Sequence, residues 1–403
     1  MNRRRKGLVF LLSLVVIAGI SIAAASAYQA SPRRGQPMIY SEKDMLQELW
    51  SSYKKEYVES GSNRTLDKQR QNISTSEGQS YTMLRAVWMD DKKTFDDSWK
   101  WTKDNLQRDD YLMAWKFGKL TDGNYGIMES DGGQNTATDG DSDIALSLLM
   151  AYSRWKDDDY LYDAQPIIAS IWEKEVVSID DRPVLVANDI ERNNEETVIV
   201  NPSYFSPYAY KIFAHMDKEH DWKGLADNSY ELLARIGRDK LGARQSSGLP
   251  PDWVLLDRYT GELLPTEGKD LPMTYGFDAM RTPWRLALDY KWFKDDRSKA
   301  LLQDYKLLAD EWTKYGRIMA IYSRAGAAGA NYQSSAAYGT AMGYFSVIKP
   351  GLADDIYRTR LASLYDPDKQ MPSTSLSYYD ANWAWFGIAL YHDELPDLTA
   401  KEN

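Results

Sequence analysis

Two kinds of helical segment alternate along this chain. Stretches such as SDIALSLLMAYSRW (142–155), SSAAYGTAMGYF (334–345) and YYDANWAWFGIALY (378–391) are apolar on most faces and rich in alanine and glycine. Stretches such as SEKDMLQELWSSYKKEYV (41–58) and DDRSKALLQDYKLLADEWTKY (295–315) carry one apolar stripe and a charged outer face. Periodicity and capping residues predict roughly twelve helices. They begin near Ser41, Glu77, Lys92, Asp139, Asp158, Ser203, Glu219, Tyr275, Asp295, Gln333, Gly351 and Tyr378. A helix that is apolar all round is buried, whereas a single stripe marks a surface helix. Alternation of the two predicts an inner ring wrapped by an outer ring, and six such pairs make an all-α (α/α)6 barrel. A generic helical bundle or solenoid satisfies the same periodicity. Three β-like pieces lie between helices: RPVLVAND (182–189) with ETVIV (196–200), and DWVLLDRYTGELLP (252–265). They read as small hairpins decorating the loops.

The first 38 residues follow a different pattern. Residues 2–6 read NRRRK, and residues 7–27 form an uncharged apolar run ending in Ala25-Ser26-Ala27. A basic start, an apolar stretch and a small-x-small site describe an export signal covering 1–27. The run is also long enough to span a bilayer, with the basic cluster holding its start inside. A cleaved signal and a membrane anchor through residues 7–27 are thus both expected forms, and either places the rest of the chain outside the cytoplasm. Residues 28–38, YQASPRRGQPM, read as a linker.

Composition narrows the chemistry. The net charge of −10 argues against nucleic acid as a partner, because phosphate recognition needs a clustered basic face. With no cysteine, thiolate catalysis, disulfides and zinc-thiolate sites are excluded together. The three histidines do not cluster: His215 and His220 fall in one charged helical stretch and His392 lies near the end. Neither a Ser-His-Asp triad nor a histidine-rich metal centre is expected, which leaves carboxylates. The 14 Trp and 28 Tyr are more than ordinary, and although core is the default place for any one ring, their flat faces with polar rims are also what pyranose rings stack on.

Four junctions before buried helices combine unusual residues: Ser76-Glu77-Gly78-Gln79-Ser80-Tyr81, Ala137-Thr138-Asp139-Gly140-Asp141, Asn201-Pro202-Ser203-Tyr204, and Asp278-Ala279-Met280-Arg281-Thr282-Pro283-Trp284-Arg285. Taken singly, Asp139 and Asp141 read as helix caps and Glu77 as a first-turn acid. Arg281 and Arg285 read as partners for carboxylates. Asp-Gly-Asp also matches the start of a calcium loop, but the twelve-residue spacing with its closing Glu is absent.

Taken in order, these blocks resemble glycoside hydrolase family 8, the former cellulase family D. The nineteen residues from Ala137 to Trp155 are similar to that family's long signature, and GLPPDW (248–253) and SYYD (377–380) follow in the family's order. The resemblance covers about residues 40–395 and implies one catalytic domain over 39–398. It further implies an inverting endo-β-1,4-glycanase without cofactor or metal, acting on a β-linked polysaccharide, with glucan the first expectation. Glu77 would be the general acid, Asp278 the general base, and Asp139 an electrostatic and positioning partner beside the cleaved sugar. Arg281 would position that region, and Trp115, Tyr204 and Tyr378 would stack on or hydrogen-bond sugar. Many members carry Tyr before the base, where this chain has Phe277.

These residue types suit the reaction. Glycosidic cleavage requires an acid to protonate the leaving oxygen, and inversion requires a second carboxylate roughly 6.5–9.5 Å away to activate water. At a helix N-terminus Glu77 would tend to ionise, so burial and a neighbouring Asp139 must hold its proton. The rival expectations are a hydrolase acting on the producer's own exopolysaccharide at the cell envelope, and a non-catalytic polysaccharide-binding protein on the same barrel. Chitosan and xylan also lie within the family's range.

Overall fold

The computed structural model describes residues 42–266, 269–366, 368–369 and 371–400. The export segment, the linker and the helix start at Ser41 lie outside them. Among the described residues the elements follow the predicted alternation. In chain order the α-helices are α1 (Glu42–Tyr57), α2 (Ser76–Trp88), α3 (Lys92–Asn105), α4 (Thr138–Trp155), α5 (Asp158–Glu175), α6 (Pro207–Met216), α7 (Trp222–Arg238), α8 (Thr282–Phe293), α9 (Asp296–Gln303), α10 (Lys306–Tyr315), α11 (Ser335–Ile348), α12 (Pro350–Ile356) and α13 (Tyr378–Tyr391).

Neighbour relations make this an (α/α)6 barrel. Helix α2 packs on α4, α4 on α6, α6 on α8, α8 on α11 and α11 on α13. The ring closes where Tyr81 of α2 meets Trp383 and Phe386 of α13 edge-on, ring centroids 5.4 and 5.6 Å away. Each inner helix also packs on an outer one: α2 on α3, α4 on α5, α6 on α7, α8 on α9, α11 on α12, and α13 on α1. Burial follows the sequence pattern. Every residue of α2 except Glu77 is buried, and α4 is buried without a break from Thr138 to Ala151.

Helices α11 and α13 cross in backbone contact. A Cβ on Gly387 would stand 2.2 Å from the Gly339 carbonyl oxygen, and one on Gly339 would stand 2.0 Å from that of Trp383. Only glycine permits this approach.

Three expectations are corrected. Segments 182–189 and 196–200 form no ladder with each other and are joined by one backbone bond, from the Ala187 amide to the Ile199 carbonyl at 3.0 Å. The first pairs with the preceding strand, Val176–Ile179 with Arg182–Leu185, through a turn at Asp180 and Asp181, both with positive φ. The second, Thr197–Val200, pairs with Val254–Asp257, which continues to Leu263–Leu264 as the expected hairpin. Helices predicted from Ser203 and Tyr275 begin later, at α6 and α8, because 3-10 turns precede them and Pro207 and Pro283 occupy the first helical positions. The single helix expected over 295–315 bends at Asp304 and Tyr305, which lets Leu301, Leu302, Leu308 and Trp312 all turn inward.

Candidate active site

Glu77 owes its position to its helix cap. Thr75 is the N-cap of α2 and its hydroxyl accepts the Gly78 amide at 3.0 Å, which places Glu77 in the first turn at the mouth of the ring. The Trp115 carbonyl accepts the Ser76 amide at 3.1 Å and ties the neighbouring loop to the same point. Asp139 and Asp141 open α4 but do not cap it: the N-cap is Ala137, with no side-chain bond. Asp139 Oδ1 accepts the amide of its neighbour Gly140 at 2.9 Å. Asp139 faces the inner end of the cleft, while Asp141 accepts the Met113 amide at 2.8 Å.

One guanidinium joins the carboxylates. Arg281 is fully buried; its Nη1 donates to Glu77 Oε2 at 2.7 Å and to Asp139 Oδ2 at 2.8 Å, and its Nη2 donates to Asp278 Oδ1 at 2.5 Å. Nη1 also lies 3.2 Å from the Tyr81 hydroxyl, and Nε donates to Ser203 Oγ at 3.1 Å. Five side-chain partners thus fix the guanidinium plane. Exposure separates the three acids: the Glu77 and Asp278 side chains keep 25% and 32% of their surface open, while Asp139 keeps 3%. Two carboxylates therefore reach the cleft, with a third buried behind them.

Electrostatics follow from this crowding. Burial raises Glu77 above the ordinary carboxylate range; Arg281 opposes and Asp278 adds to the rise. Asp278 joins the expected neighbour Asp139 here, since Glu77 and Asp139 also repel one another. Asp139 is itself pushed up to about 6 by burial, against Arg281, with Glu77 contributing. Asp278 is also raised: burial outweighs the pull of Arg281, and Asp139 raises it further. One positive charge is shared among three crowded carboxylates, which favours retention of a proton within the group.

The aromatic residues divide. The Tyr378 hydroxyl donates to Glu77 Oε1 at 3.1 Å, so this buried ring is a partner of the acid. Tyr204 is 8% exposed and its ring lies 5.3 Å from the Arg281 guanidinium, occupied by the cation. Trp115 is half-buried at the foot of α2, its indole N–H bound to the Gly132 carbonyl at 2.9 Å and Arg70 at 5.7 Å from its ring. Phe277 stays open to solvent and meets Tyr379 edge-on at 5.8 Å. Sequence reasoning passed over Tyr81, Ser203, Tyr379 and Asp252, although each lies inside a block it had singled out. Arg285, the second arginine of its block, serves elsewhere, forming a two-pronged pair with Asp143 at 2.9 and 2.8 Å. Among the described residues no cluster of histidine and acidic side chains could hold a metal ion, and no helix is long and apolar enough to cross a membrane.

Comparison with known proteins places this chain among carbohydrate-cleaving enzymes. The family model for glycosyl hydrolases family 8 matches residues 22–388. An endoglucanase of Cellulomonas uda is 33% identical over 261 residues, 64% of this chain and 67% of that one. Endoglucanase A of Acetivibrio thermocellus is 31% identical over 264 residues, 64% of this chain but 51% of the relative. Among solved structures, a family 8 endoglucanase from Klebsiella pneumoniae superposes with a TM-score of 0.66 at 26% identity, covering 86% of this chain and 99% of that one.

Proposed function

For a chain that belongs to glycosyl hydrolases family 8, and is therefore a glycoside hydrolase, we propose inverting endo-hydrolysis of a β-1,4-linked glucan outside the cytoplasm. One observation carries the reading: a single buried guanidinium, that of Arg281, contacts Glu77, Asp139 and Asp278 at once. Glu77 is the general acid. Its raised affinity for protons supplies what protonation of the leaving oxygen needs. Asp278 is the general base. It is the more open of the two cleft acids, and its bond to Arg281 opposes the burial that would otherwise keep it protonated. Asp139, buried and bound to the same guanidinium, orients Arg281 and adds negative charge where the sugar ring becomes cationic. Trp115 and the open face of Phe277 are the rings offered to sugar, while Tyr204 and Tyr378 hold Arg281 and Glu77 in place.

Glucan is the first choice of substrate because the similar proteins above are endoglucanases. The catalytic domain extends over 39–398. The basic and apolar segment 2–27 exports it or anchors it, and an anchored form would meet the producer's own exopolysaccharide at the envelope. The test is product analysis on purified polymers: carboxymethylcellulose, mixed-linkage β-glucan, xylan and chitosan. Rapid viscosity loss with short oligosaccharides from the β-1,4-glucans is expected. Cleavage of chitosan or xylan alone would move the substrate assignment, and binding without any cleavage would leave a non-catalytic protein.

A further inference from the structure

Asp278 stands at the N-cap position of the 3-10 turn Ala279–Arg281 that leads into α8, yet its side chain caps nothing. The open amides there are satisfied from another part of the chain. Asp252 is 4% exposed, and its Oδ1 accepts the amides of Gly276 at 3.1 Å, Asp278 at 3.0 Å and Ala279 at 2.7 Å. Its Oδ2 accepts the Thr274 hydroxyl at 3.1 Å, and its own amide donates to the Thr274 carbonyl at 2.7 Å. The strand Val254–Asp257 follows immediately, so the carboxylate is anchored to a sheet. Contact is tight: a Cβ on Gly276 would stand 2.5 Å from Asp252 Oδ2.

We propose that Asp252 is a positioning residue for the base: it caps the turn in place of Asp278 and fixes the Asp278 carboxylate toward the cleft. The inference rests on the reading of Asp278 as general base. A carboxylate at a helix start ordinarily folds back onto the amides of that turn. With Asp252 already holding the amides of Asp278 and Ala279, the Asp278 carboxylate is released to Arg281 and to water. Asp252 also acts through charge. Burial, followed by repulsion from Asp278, pushes it up to about 7, so the two acids resist ionising together.

The experiment compares Asp252→Ala, Asp252→Asn and Asp278→Asn on the polymer that the wild-type enzyme cleaves fastest, with kcat, KM, pH profile and thermal unfolding measured for each. Asp252→Ala should lower kcat about 10–100-fold, the cost of a small misplacement of a reacting group, with KM little changed. Asp252→Asn keeps an oxygen for the three amides and should recover most of that loss. Wild-type kcat in Asp252→Ala, or no recovery of kcat in Asp252→Asn, would overturn the positioning role while Asp278→Asn remains inert. Wild-type turnover in Asp278→Asn would overturn the base itself, and the positioning role with it.

Discussion

At Arg281 one side chain does the work of several. Lysine would bring a point charge, whereas the planar guanidinium reaches Glu77, Asp139 and Asp278 from fixed directions. The arrangement predicts that Glu77→Gln binds polymer normally but loses about 10²–10⁴ in kcat, the usual contribution of a general acid to a poor leaving group. Steady-state kinetics on an unactivated glucan check this, and near-wild-type turnover would contradict it. A second acid pair lies behind the site. Asp141 and Glu175 adjoin in full burial: the Met113 amide and Thr136 each take one oxygen, and Asp141 Oδ2 and Glu175 Oε2 are left with only each other to share a proton. A bond between two carboxyl groups requires a proton between them. Burial pushes Asp141 up to about 8 and Glu175 well above its ordinary range. Both therefore hold protons in the folded chain at pH values where unfolded carboxyls, near 4, have lost them. Their stabilising contribution is complete below about pH 4 and is lost as pH rises through about 8. Thermal unfolding of the wild type should accordingly weaken from pH 5 to pH 9, and Glu175→Gln, which shares no carboxyl proton, should flatten that decline. Parallel curves would contradict it.

Among the elements, the tightest joint is the α11–α13 crossing at Gly339 and Gly387. Gly387→Ala places a methyl group against backbone that cannot rotate away. Overpacking of this kind costs about 1–3 kcal/mol, and here the helix displaced carries Tyr378, the partner of Glu77. Denaturant unfolding should show the loss, with activity falling alongside; wild-type stability would mean that the helices part freely. Inner helices such as 334–345 and 378–391 were legible in the sequence because burial on all faces leaves an apolar, small-residue signature. Strand partners were not. Thr197–Val200 pairs with Val254–Asp257 across more than fifty residues, and periodicity carries no information on such a partner. The late start of α8 was hidden for a related reason: the carboxylate holding the Gly276–Ala279 turn out of the helix comes from Asp252.

For the molecule as a whole, the ring gathers blocks that lie 301 residues apart, Glu77 and Tyr378, at one mouth. Block order in the sequence pointed to Glu77, Asp139, Asp278 and Arg281 together, and they do converge. Sequence could not reveal that Tyr204 lies against a cation or that Tyr378 faces the acid, since an aromatic residue reads the same as core, platform or hydrogen-bond donor. On the proposed reading the assembled mouth performs a single displacement, with acid and base on opposite faces of the bond and no covalent intermediate. Proton NMR of the first-formed reducing ends on a β-1,4-glucan tests this directly. The α-anomer should appear first and mutarotate afterwards. Initial appearance of the β-anomer would mean a double displacement, and would contradict the roles of both Glu77 and Asp278.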